Sequence, residues 1–147
     1  MFYTELKADY FDNMLRAKKG YSNILAPICK TWKLTRNELD ILLFLYNNPE
    51  FDRATDIVSR RGIAKSHVSL SVSSLEERGF VTREVDAQDR RTIHLRLSEE
   101  AKEIAREGRE AQMGFFKLLY AGLTVDEVAQ WQGIIDKVSQ NIAEMKL

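Results

Sequence analysis

One short stretch of the sequence, residues 81–97, alternates apolar and polar residues in a chain whose other segments have helical periodicity. Residues 81–85 and 92–97 predict two strands, and the connection DAQDRR between them predicts a hairpin. Ile93, Leu95 and Leu97 alternate with polar residues, so one face of the hairpin packs inward and its register is fixed. The sequence therefore predicts a mainly helical fold with one small β-hairpin.

Four helices are predicted before the hairpin, because apolar residues recur at three- and four-residue steps. The first covers about the first thirty residues and is expected to bend or end at Pro27. Thr35 and Glu38 have the spacing of a capping box, which begins the second helix. The third and fourth helices cover about 53–60 and 65–78, and a glycine ends each of them.

Two more helices are predicted after the hairpin. Ser98 is a suitable N-cap for a helix that runs to about Tyr120, because two glutamates follow in its first turn. The last helix begins at a second capping box, TVDE at 124–127, and its apolar residues are spaced by 3, 4, 3, 4 and 3. Such a stripe is a seam for packing against another helix.

The block of residues 34–98 is predicted to be a winged helix-turn-helix, in which two short helices joined by a tight turn precede the hairpin. Gly62 permits the sharp turn between the two helices. In the second of them Val68, Val72 and Leu75 step by four and three residues, so they are expected to face inward.

The outward face of that second helix is mostly short and polar. Five serines lie between residues 66 and 74, although serine has only middling helix propensity. Short donor and acceptor side chains let a helix lie deep in the major groove of DNA and bond to phosphates or base edges. A solvated face that happens to be rich in serine is the alternative. The candidate DNA-binding residues here are Lys65, Ser66, His67, Ser69, Leu70 and Ser73, with Ser74 at the edge of the same face.

The connection between the strands carries Asp89, Arg90 and Arg91 at its end. Two adjacent guanidinium groups on an exposed tip repel each other and gain little from the fold. An arginine there can enter the minor groove of DNA, whose narrow walls concentrate negative potential, and Asp89 can orient one guanidinium. An ordinary solvated turn is the alternative, but the tip and the preceding helix together favour DNA binding.

The formal net charge of zero hides an uneven distribution, since residues 53–96 carry 9 basic and 6 acidic side chains and residues 97–147 carry 6 and 9. A modest positive excess thus coincides with the winged helix-turn-helix, which favours nucleic acid as a partner. No apolar run approaches the roughly 18 residues that cross a bilayer. The single cysteine, Cys29, fits a reducing compartment. We therefore expect a cytoplasmic protein with no membrane partner.

Residues 34–97 resemble the MarR (multiple antibiotic resistance regulator) family of transcription factors in the segments LTRNELDILLFL, IAKSHVSLSVSSLEERGFV and DAQDRRTIHLRLS. The flanking helices extend the likeness over nearly the whole chain, so it implies a single domain over 1–147. The wing of this family usually reads Asp-x-Arg, which falls on Asp89 and Arg91. The resemblance implies a transcriptional regulator in which Arg91 enters the minor groove and Asp89 helps to hold it.

The sequence departs from the family pattern at two places on the outward-facing helix. The family commonly has Ser or Thr where this helix starts at Ala64, so a side-chain cap is missing here. It also often carries an arginine near Leu70 or Ser71, where this sequence has none. Recognition of bases is therefore expected to depend more on the wing and on DNA shape.

The flanking helices, residues 1–33 and 99–147, are predicted to form a homodimer, because their apolar stripes exceed what a winged helix needs for its own core. Burial of the stripes within one chain is the alternative. Two recognition helices on a two-fold axis can bind a pseudo-palindrome with half-sites about 10 bp apart. We expect repression, because a dimer that covers a promoter blocks polymerase without further contacts.

The family resemblance suggests that a small effector, often an aromatic or lipophilic acid, binds between the dimer helices and the winged helix and releases the DNA. Aromatic side chains at helical spacing otherwise pack as plain core, which is the alternative. The candidate lining residues are Tyr21, Ile28, Trp32, Phe44, Met113 and Phe116.

Cys29 suggests a different means of regulation, the oxidation of a thiol. Lys30 is adjacent and Lys33 is one turn away, and both can lower the pKa of the thiol. Relatives that sense oxidants through one cysteine carry it nearer the start of the first helix, and a lone buried cysteine is usually inert.

Catalysis is not predicted. The two histidines, His67 and His94, lie in the DNA-facing block and apart from Cys29, and the sequence has neither a glycine-rich phosphate loop nor a cluster of metal ligands. We expect no catalytic residue, metal or cofactor. A winged-helix module that binds protein instead of DNA is the alternative from another class, and a steep fall in affinity with salt would distinguish DNA binding from it.

Overall fold

The fold is given by a computed structural model that describes residues 9–146, with the side chains of residues 11–146. Its elements are α1 (Asp9–Trp32), α2 (Arg36–Asn47), α3 (Ala54–Arg61), α4 (Lys65–Glu77), β1 (Val81–Val85), β2 (Ile93–Leu97), α5 (Glu99–Leu119) and α6 (Val125–Glu144). This order confirms the predicted mainly helical fold with one hairpin. The predicted first helix also included residues 1–8, which lie outside the described residues.

Pro27 lies inside α1, so of the two expected outcomes, a bend or an end of the helix, the end is wrong. Proline has no N–H to donate, which leaves the carbonyl oxygen of Asn23 without its helical partner. Asn23 and Pro27 are both exposed, so water can replace that bond. The helix therefore continues to Trp32.

Three predicted helix starts are confirmed by hydrogen bonds. The Thr35 hydroxyl accepts from the Glu38 N–H at 3.1 Å, and the Glu38 carboxyl group accepts from the Thr35 N–H at 3.0 Å. Thr124 and Glu127 make the same reciprocal pair at 3.2 and 2.8 Å. The Ser98 hydroxyl accepts from a first-turn N–H of α5 at 3.1 Å. These bonds occupy N–H groups that have no partner within a helix, and so they determine where α2, α5 and α6 begin.

The chain forms two compact units that divide after Met113, and the first unit contains the hydrophobic core. α2 lies at the centre of this core, since residues 41–45 are all buried and the helix contacts α1, α4 and β2. The other elements of the unit contribute Leu25 from α1, Ile57 from α3, Val68, Val72 and Leu75 from α4, Leu95 from β2 and Ile104 from α5.

The packing of α5 against α2 depends on a residue without a side chain. Gly108 is buried, and a Cβ at this position would lie 2.7 Å from Leu43 Cδ2. Leu43 is itself only 2% exposed, so a side chain at 108 would have to displace a packed leucine. Gly108 therefore permits the close approach of α5 to α2.

The winged helix-turn-helix consists of α3, α4 and the hairpin. Gly62 has a φ of 63°, which ends α3 in a left-handed conformation and turns the chain toward α4. β1 and β2 pair antiparallel, with Val81 opposite Leu97. Val81 and Leu95 are buried, whereas Ile93 is 37% exposed. The prediction that this face packs inward is therefore confirmed only where the hairpin meets the core. It is wrong for Ile93, the residue of β2 nearest the tip.

Exposed apolar side chains are concentrated on the flanking helices. In the second unit, residues 114–147, α6 has no buried residue among those described. Its exposed apolar residues include Trp131, Ile134, Ile135, Val138 and Ile142, and those of α1 include Phe11, Met14 and Leu15. Within residues 9–146, no helix has the length and apolar character to span a bilayer.

Candidate nucleic-acid interface

The inward side of α4 is packed in the core, which determines the direction of its outward side. As predicted, Val68, Val72 and Leu75 face inward, and each is at most 1% exposed. The other sides of the helix carry the six predicted DNA-binding residues, and all of these are exposed: Lys65, Ser66, His67, Ser69, Leu70 and Ser73. The helix therefore presents a short, polar surface to its surroundings.

Two serines of α4 do not belong to this outward surface. Ser71 is 8% exposed, and Ser74 Oγ donates to Glu38 Oε1 at 2.8 Å. Glu38 is itself only 6% exposed, and its other oxygen caps α2 at Thr35. Ser74, expected at the edge of the DNA-facing side, is only partly exposed, and its hydroxyl donates to the nearly buried carboxyl group of Glu38 instead of remaining free for DNA. This bond fixes the rotation of α4 against α2.

One arginine fastens the C-terminal end of α4 to the end of α1. The Nη1 and Nη2 atoms of Arg78 donate to the carbonyl oxygens of Lys33 and Trp32 at 2.8 and 2.6 Å. Carbonyl groups at a helix C-terminus lack helical partners and interact favourably with a cation. The indole Nε1 of Trp32 donates in turn to Glu107 of α5 at 3.2 Å. α4 is thus linked through the end of α1 to α5.

The N-terminal end of α4 has no side-chain cap, as the sequence predicted from Ala64. The N–H groups of Lys65, Ser66 and His67 are therefore not used by an N-cap side chain. Free N–H groups at the start of a helix, together with the helix dipole, favour the binding of an anion.

The tip of the hairpin is a turn that depends on two aspartates. Asp86 Oδ1 accepts from the N–H groups of Gln88 and Asp89 at 2.8 and 2.9 Å. Asp89 Oδ1 accepts from the Arg91 N–H, and Asp89 Oδ2 accepts from the Thr92 hydroxyl, both at 3.0 Å. Aspartate side chains that bond to N–H groups two or three residues ahead stabilise a turn. The backbone at the tip therefore has a defined conformation.

Arg90 and Arg91 are both exposed, and within residues 9–146 neither guanidinium forms an ion pair. Asp89 was expected to orient one of these guanidinium groups. Its carboxylate instead accepts from the backbone N–H of Arg91 and from Thr92, so it holds Arg91 through the backbone. The positive charge of the tip remains available to a partner.

Arg91 also lines a groove of about 300 Å³ between α3 and the hairpin. Arg53 and Arg83 line the same groove. They are paired with Asp56 and Glu76 at 3.2 and 2.8 Å, respectively. Three arginines thus line one groove beside the wing, and two of them are paired with acids.

At the base of the tip, His94 lies between two carboxylates from different parts of the chain. Its Nδ1 is 2.8 Å from Asp52 Oδ1 in the α2–α3 connection, and its Nε2 is 2.8 Å from Asp86 Oδ2. The hydrogen bond with Asp52, followed by that with Asp86, raises the pKa of His94 above its ordinary value. The hydrogen bond with His94, together with the N–H groups of Asp89 and Gln88, lowers the pKa of Asp86 to about 2.

Asp52 joins the α2–α3 connection to β2. Its Oδ2 accepts from Arg96 Nη1 at 2.6 Å, and its carbonyl oxygen accepts from the Leu95 N–H at 2.7 Å. Burial acts to raise the pKa of Asp52, but the hydrogen bonds from His94 and Arg96 outweigh it and leave the pKa below its ordinary value. Arg96 also donates to Glu84 across the strand pair at 3.0 Å. The wing is thereby attached to the helical core along β2.

The cluster of Asp52, Asp86 and His94 was not identified from the sequence. His94 and Asp52 are 42 residues apart, and no periodicity connects a loop residue to a residue on the polar face of a strand. Its one sequence signal was a histidine on the polar face of a predicted strand. In the described part of the chain, no group of three or more His, Cys, Asp and Glu side chains is arranged to hold a metal ion.

The six residues predicted to line an effector site are spread over both units. Tyr21, Ile28 and Trp32 are partly buried against the core, in which Phe44 is 2% exposed. Met113 is 62% exposed at the end of the first unit, and Phe116 belongs to the second, where its ring stacks on that of Tyr120. Their role in binding an effector stays a prediction.

Cys29 is partly buried on α1. Burial is the largest influence on its thiol and raises the pKa above the ordinary value, while Arg36 lowers it and Asp40 raises it further. The prediction that Lys30 and Lys33 lower this pKa is wrong, because desolvation of the thiolate outweighs the positive charge nearby. A thiol with a raised pKa reacts less readily with oxidants.

Residues 32–92 match the sequence model of the MarR family. A protein from Listeria monocytogenes complexed with 26mer DNA has a similar structure, with a TM-score of 0.79 at 17% identity, over 95% of this chain and 91% of that chain. The S. aureus MepR–DNA complex matches with a TM-score of 0.70 at 18% identity, over 94% and 98% of the two chains. A MarR family transcriptional regulator from Silicibacter pomeroyi matches with a TM-score of 0.75 at 19% identity, over 91% and 90%. At these identities, the structural matches show a shared fold.

Ser73→Ala and Ser74→Ala remove the same hydroxyl from neighbouring positions of α4, and both gain the higher helix propensity of alanine. We expect Ser74→Ala to lower the free energy of unfolding by about 1–3 kcal/mol more than Ser73→Ala, because the nearly buried Glu38 loses a hydrogen-bond donor. Ser73 is exposed, so its replacement should change stability by less than about 0.5 kcal/mol. Urea unfolding followed by circular dichroism measures both, and equal values would contradict the role assigned to Ser74.

Proposed function

Because residues 32–92 match the sequence model of the MarR family, we propose that the chain is a cytoplasmic transcriptional regulator of this family. It binds double-stranded DNA sequence-specifically as a homodimer, represses transcription, and is released by a small effector. The observation that carries the proposal is the combination of an exposed, serine-lined face on α4 with a wing tip whose two arginines form no ion pair in the described chain.

The outward face of α4 suits the major groove. Ser66, Ser69 and Ser73 are short, so the helix can approach the base edges closely, and each hydroxyl can both donate and accept. The exposed N–H groups at the start of α4 and the ammonium of Lys65 suit a phosphate. Leu70 is 72% exposed, which folding alone does not favour, and it can contact the methyl group of a thymine.

The wing suits the neighbouring minor groove. Arg90 and Arg91 lie on a turn that Asp86 and Asp89 hold by hydrogen bonds to backbone N–H groups. The backbone of the turn therefore loses little conformational entropy when it binds DNA. The negative potential of a narrow minor groove favours an arginine side chain there. In the neighbouring groove Arg53 and Arg83 are paired with acids, so among the described residues the unpaired positive charge of the wing comes from Arg90 and Arg91. Unpaired guanidinium groups on an exposed tip favour DNA over a protein partner for the winged helix.

We expect Arg91→Ala to weaken binding to duplex DNA by about 1–3 kcal/mol, about 5- to 150-fold. The reason is that an exposed, unpaired guanidinium is lost from the tip. The probe is a duplex of about 30 base pairs that the full chain selects from a random pool, which is long enough for two half-sites about one helical turn apart. Fluorescence anisotropy at several salt concentrations measures the affinity and its salt dependence.

Arg106→Ala is the matched control, since it removes one exposed arginine from α5, outside the proposed interface. The affinity of Arg106→Ala for the duplex should stay within about twofold of the wild type. Only Arg91→Ala should reduce the slope of the logarithm of the affinity against the logarithm of the salt concentration, by about one. Equal losses in the two variants would exclude Arg91 from the interface. Failure of the wild type to select any duplex, or an affinity that does not change with salt, would contradict DNA binding itself.

A homodimer accounts for the apolar faces of the flanking helices. α6 has no buried residue among those described, although an amphipathic helix is stable only when its apolar side is covered. We propose that a second copy of the chain covers this face and the exposed face of α1. The two-fold pair of α4 helices then doubles the number of bases that are contacted.

Val138→Glu should raise the dissociation constant of the dimer about tenfold or more, because it places a charge in the proposed apolar interface. Val138 is 45% exposed in the single chain, so the substitution should not unfold it. Gln140→Glu adds the same charge on the opposite side of α6 and should change the constant by less than about twofold. Sedimentation equilibrium measures both, and a monomeric wild type or equal constants for the two variants would contradict the interface.

An effector site near the end of α1 would connect ligand binding to α4. Trp32 lies beside the Arg78 bonds that hold α4, and it is partly buried with Tyr21 and Ile28 against the core. An aromatic or lipophilic acid that inserts among these side chains would displace the end of α1. We propose that this movement releases the DNA and relieves repression.

Trp32 and Trp131 are the two tryptophans of the sequence, so each can be observed alone. We expect some members of a panel of aromatic carboxylates to quench the fluorescence of Trp131→Phe, which retains Trp32, and to release the selected duplex. The same compounds should leave the fluorescence of Trp32→Phe unchanged. Quenching confined to Trp32→Phe, or no quenching in either variant, would contradict an effector site at these residues.

A further inference from the structure

The surroundings of His94 require both of its ring nitrogens to donate. Nδ1 and Nε2 are each 2.8 Å from a carboxylate oxygen, of Asp52 and Asp86 respectively. An ionised carboxylate only accepts hydrogen bonds, and a neutral imidazole has a single N–H. Only the imidazolium can therefore make both bonds. When the proton is lost, one nitrogen lone pair faces a carboxylate.

These two bonds connect the helical core to the tip of the wing. Asp52 lies in the connection between α2 and α3, and its carbonyl oxygen also accepts from the N–H of Leu95. Asp86 Oδ2 contacts His94, while Asp86 Oδ1 holds the N–H groups of Gln88 and Asp89 in the turn. Asp89 in turn holds the backbone of Arg91 (Oδ1 to N–H, 3.0 Å). The imidazole is thus the first member of a short chain of bonds that ends at Arg91.

We propose that His94 is a positioning residue for the DNA interface: as an imidazolium it holds the wing tip, and with it Arg91, in the orientation that binds DNA. Loss of its proton releases Asp86, loosens the turn and weakens binding. The inference rests on the proposed DNA-binding function and adds to it a dependence on pH.

The charges around the ring favour the protonated form. Two carboxylates bond to the ring directly, and Glu84 lies opposite His94 in the strand pair. Arg96, two residues along β2, is shared between two of these acids, so the negative charges exceed the positive ones around a neutral ring. The charged groups nearest the imidazole are Asp52, Asp86, Glu84 and Arg96, with Arg53 and Asp56 paired to each other on the α2–α3 side.

The sign of the pH dependence follows from the raised pKa of His94. Below the ordinary value of 6.5, the ring is protonated and the wing is held. As the pH rises through the pKa of His94 in the folded protein, which lies above 6.5, the second bond is lost. Affinity for DNA should therefore be highest on the acid side of this interval and should fall across it.

Fluorescence anisotropy with the selected duplex, from about pH 5.5 to about pH 9 at constant ionic strength, tests the proposal. We expect wild-type affinity to fall about fivefold or more across this range. His94→Gln should bind more weakly than wild type at the acid end and show no such fall. His67→Gln removes the other histidine, which lies on the proposed DNA-facing side of α4, so its affinity is expected to be lower at every pH. The ratio of its affinities at the acid and alkaline ends of the range should still be that of the wild type, because His94 is retained.

Asp86→Asn separates the charge of Asp86 from its role in the turn. The amide oxygen can still accept from the N–H groups of Gln88 and Asp89, while the negative charge that faces His94 is removed. The midpoint of the fall in affinity should move to lower pH. The ¹³C chemical shift of the His94 ring gives its pKa directly, and this pKa should move with the binding midpoint.

Three results would overturn the proposal and leave the proposed function intact: a duplex affinity independent of pH, a fall of the wild-type size that persists in His94→Gln, or a pKa of His94 at or below its ordinary value. If the wild type selects no duplex at all, the proposed function fails and this inference fails with it.

Discussion

The burial of α2 is the interaction on which the candidate interface depends. Residues 41–45 are buried without interruption, and α1, α4 and β2 all contact this helix. A thirteen-residue helix and a two-stranded hairpin are each marginal in isolation, so α4 and the wing take their geometry from this common support. Because Val68, Val72 and Leu75 hold α4 from inside, its outward residues contribute little to stability. Their chemistry is therefore free to serve binding.

Much of the fold could be predicted from the sequence, because its signals are local. The capping pairs at Thr35 and Thr124 act within a single helical turn, and the left-handed Gly62 acts at a single residue. The outward face of α4 followed from the same periodicity as its inward face. Ser74 lies near the boundary between the two faces, and its hydrogen bond to Glu38 connects residues 36 positions apart. Periodicity predicts the side of a helix on which a side chain lies, but it does not predict which polar group the side chain contacts in the folded protein.

The contacts of the charged side chains in the wing also could not be predicted from the sequence. The sequence has opposite charges side by side at the tip and suggested that Asp89 orients one guanidinium group. In the structure the tip carboxylates accept from backbone N–H groups, and Asp86 also contacts His94, so neither carboxylate is paired with a guanidinium group of the tip. The hydrogen bonds that join the wing to the core come from Asp52, which is more than 40 residues from its partners His94 and Arg96 and lies in a loop without a recognisable sequence pattern. Contacts of this kind depend on the assembled fold and are not encoded in any short segment.

Arg78 gives the molecule a mechanical property. Its planar guanidinium holds two successive carbonyl oxygens at the end of α1, at 2.6 and 2.8 Å, while its own backbone follows directly after α4. A planar group anchored at two points resists pivoting in a way that a single flexible contact does not. A tilt at the end of α1 would therefore also rotate the C-terminal end of α4, because one rigid side chain joins the two helix ends.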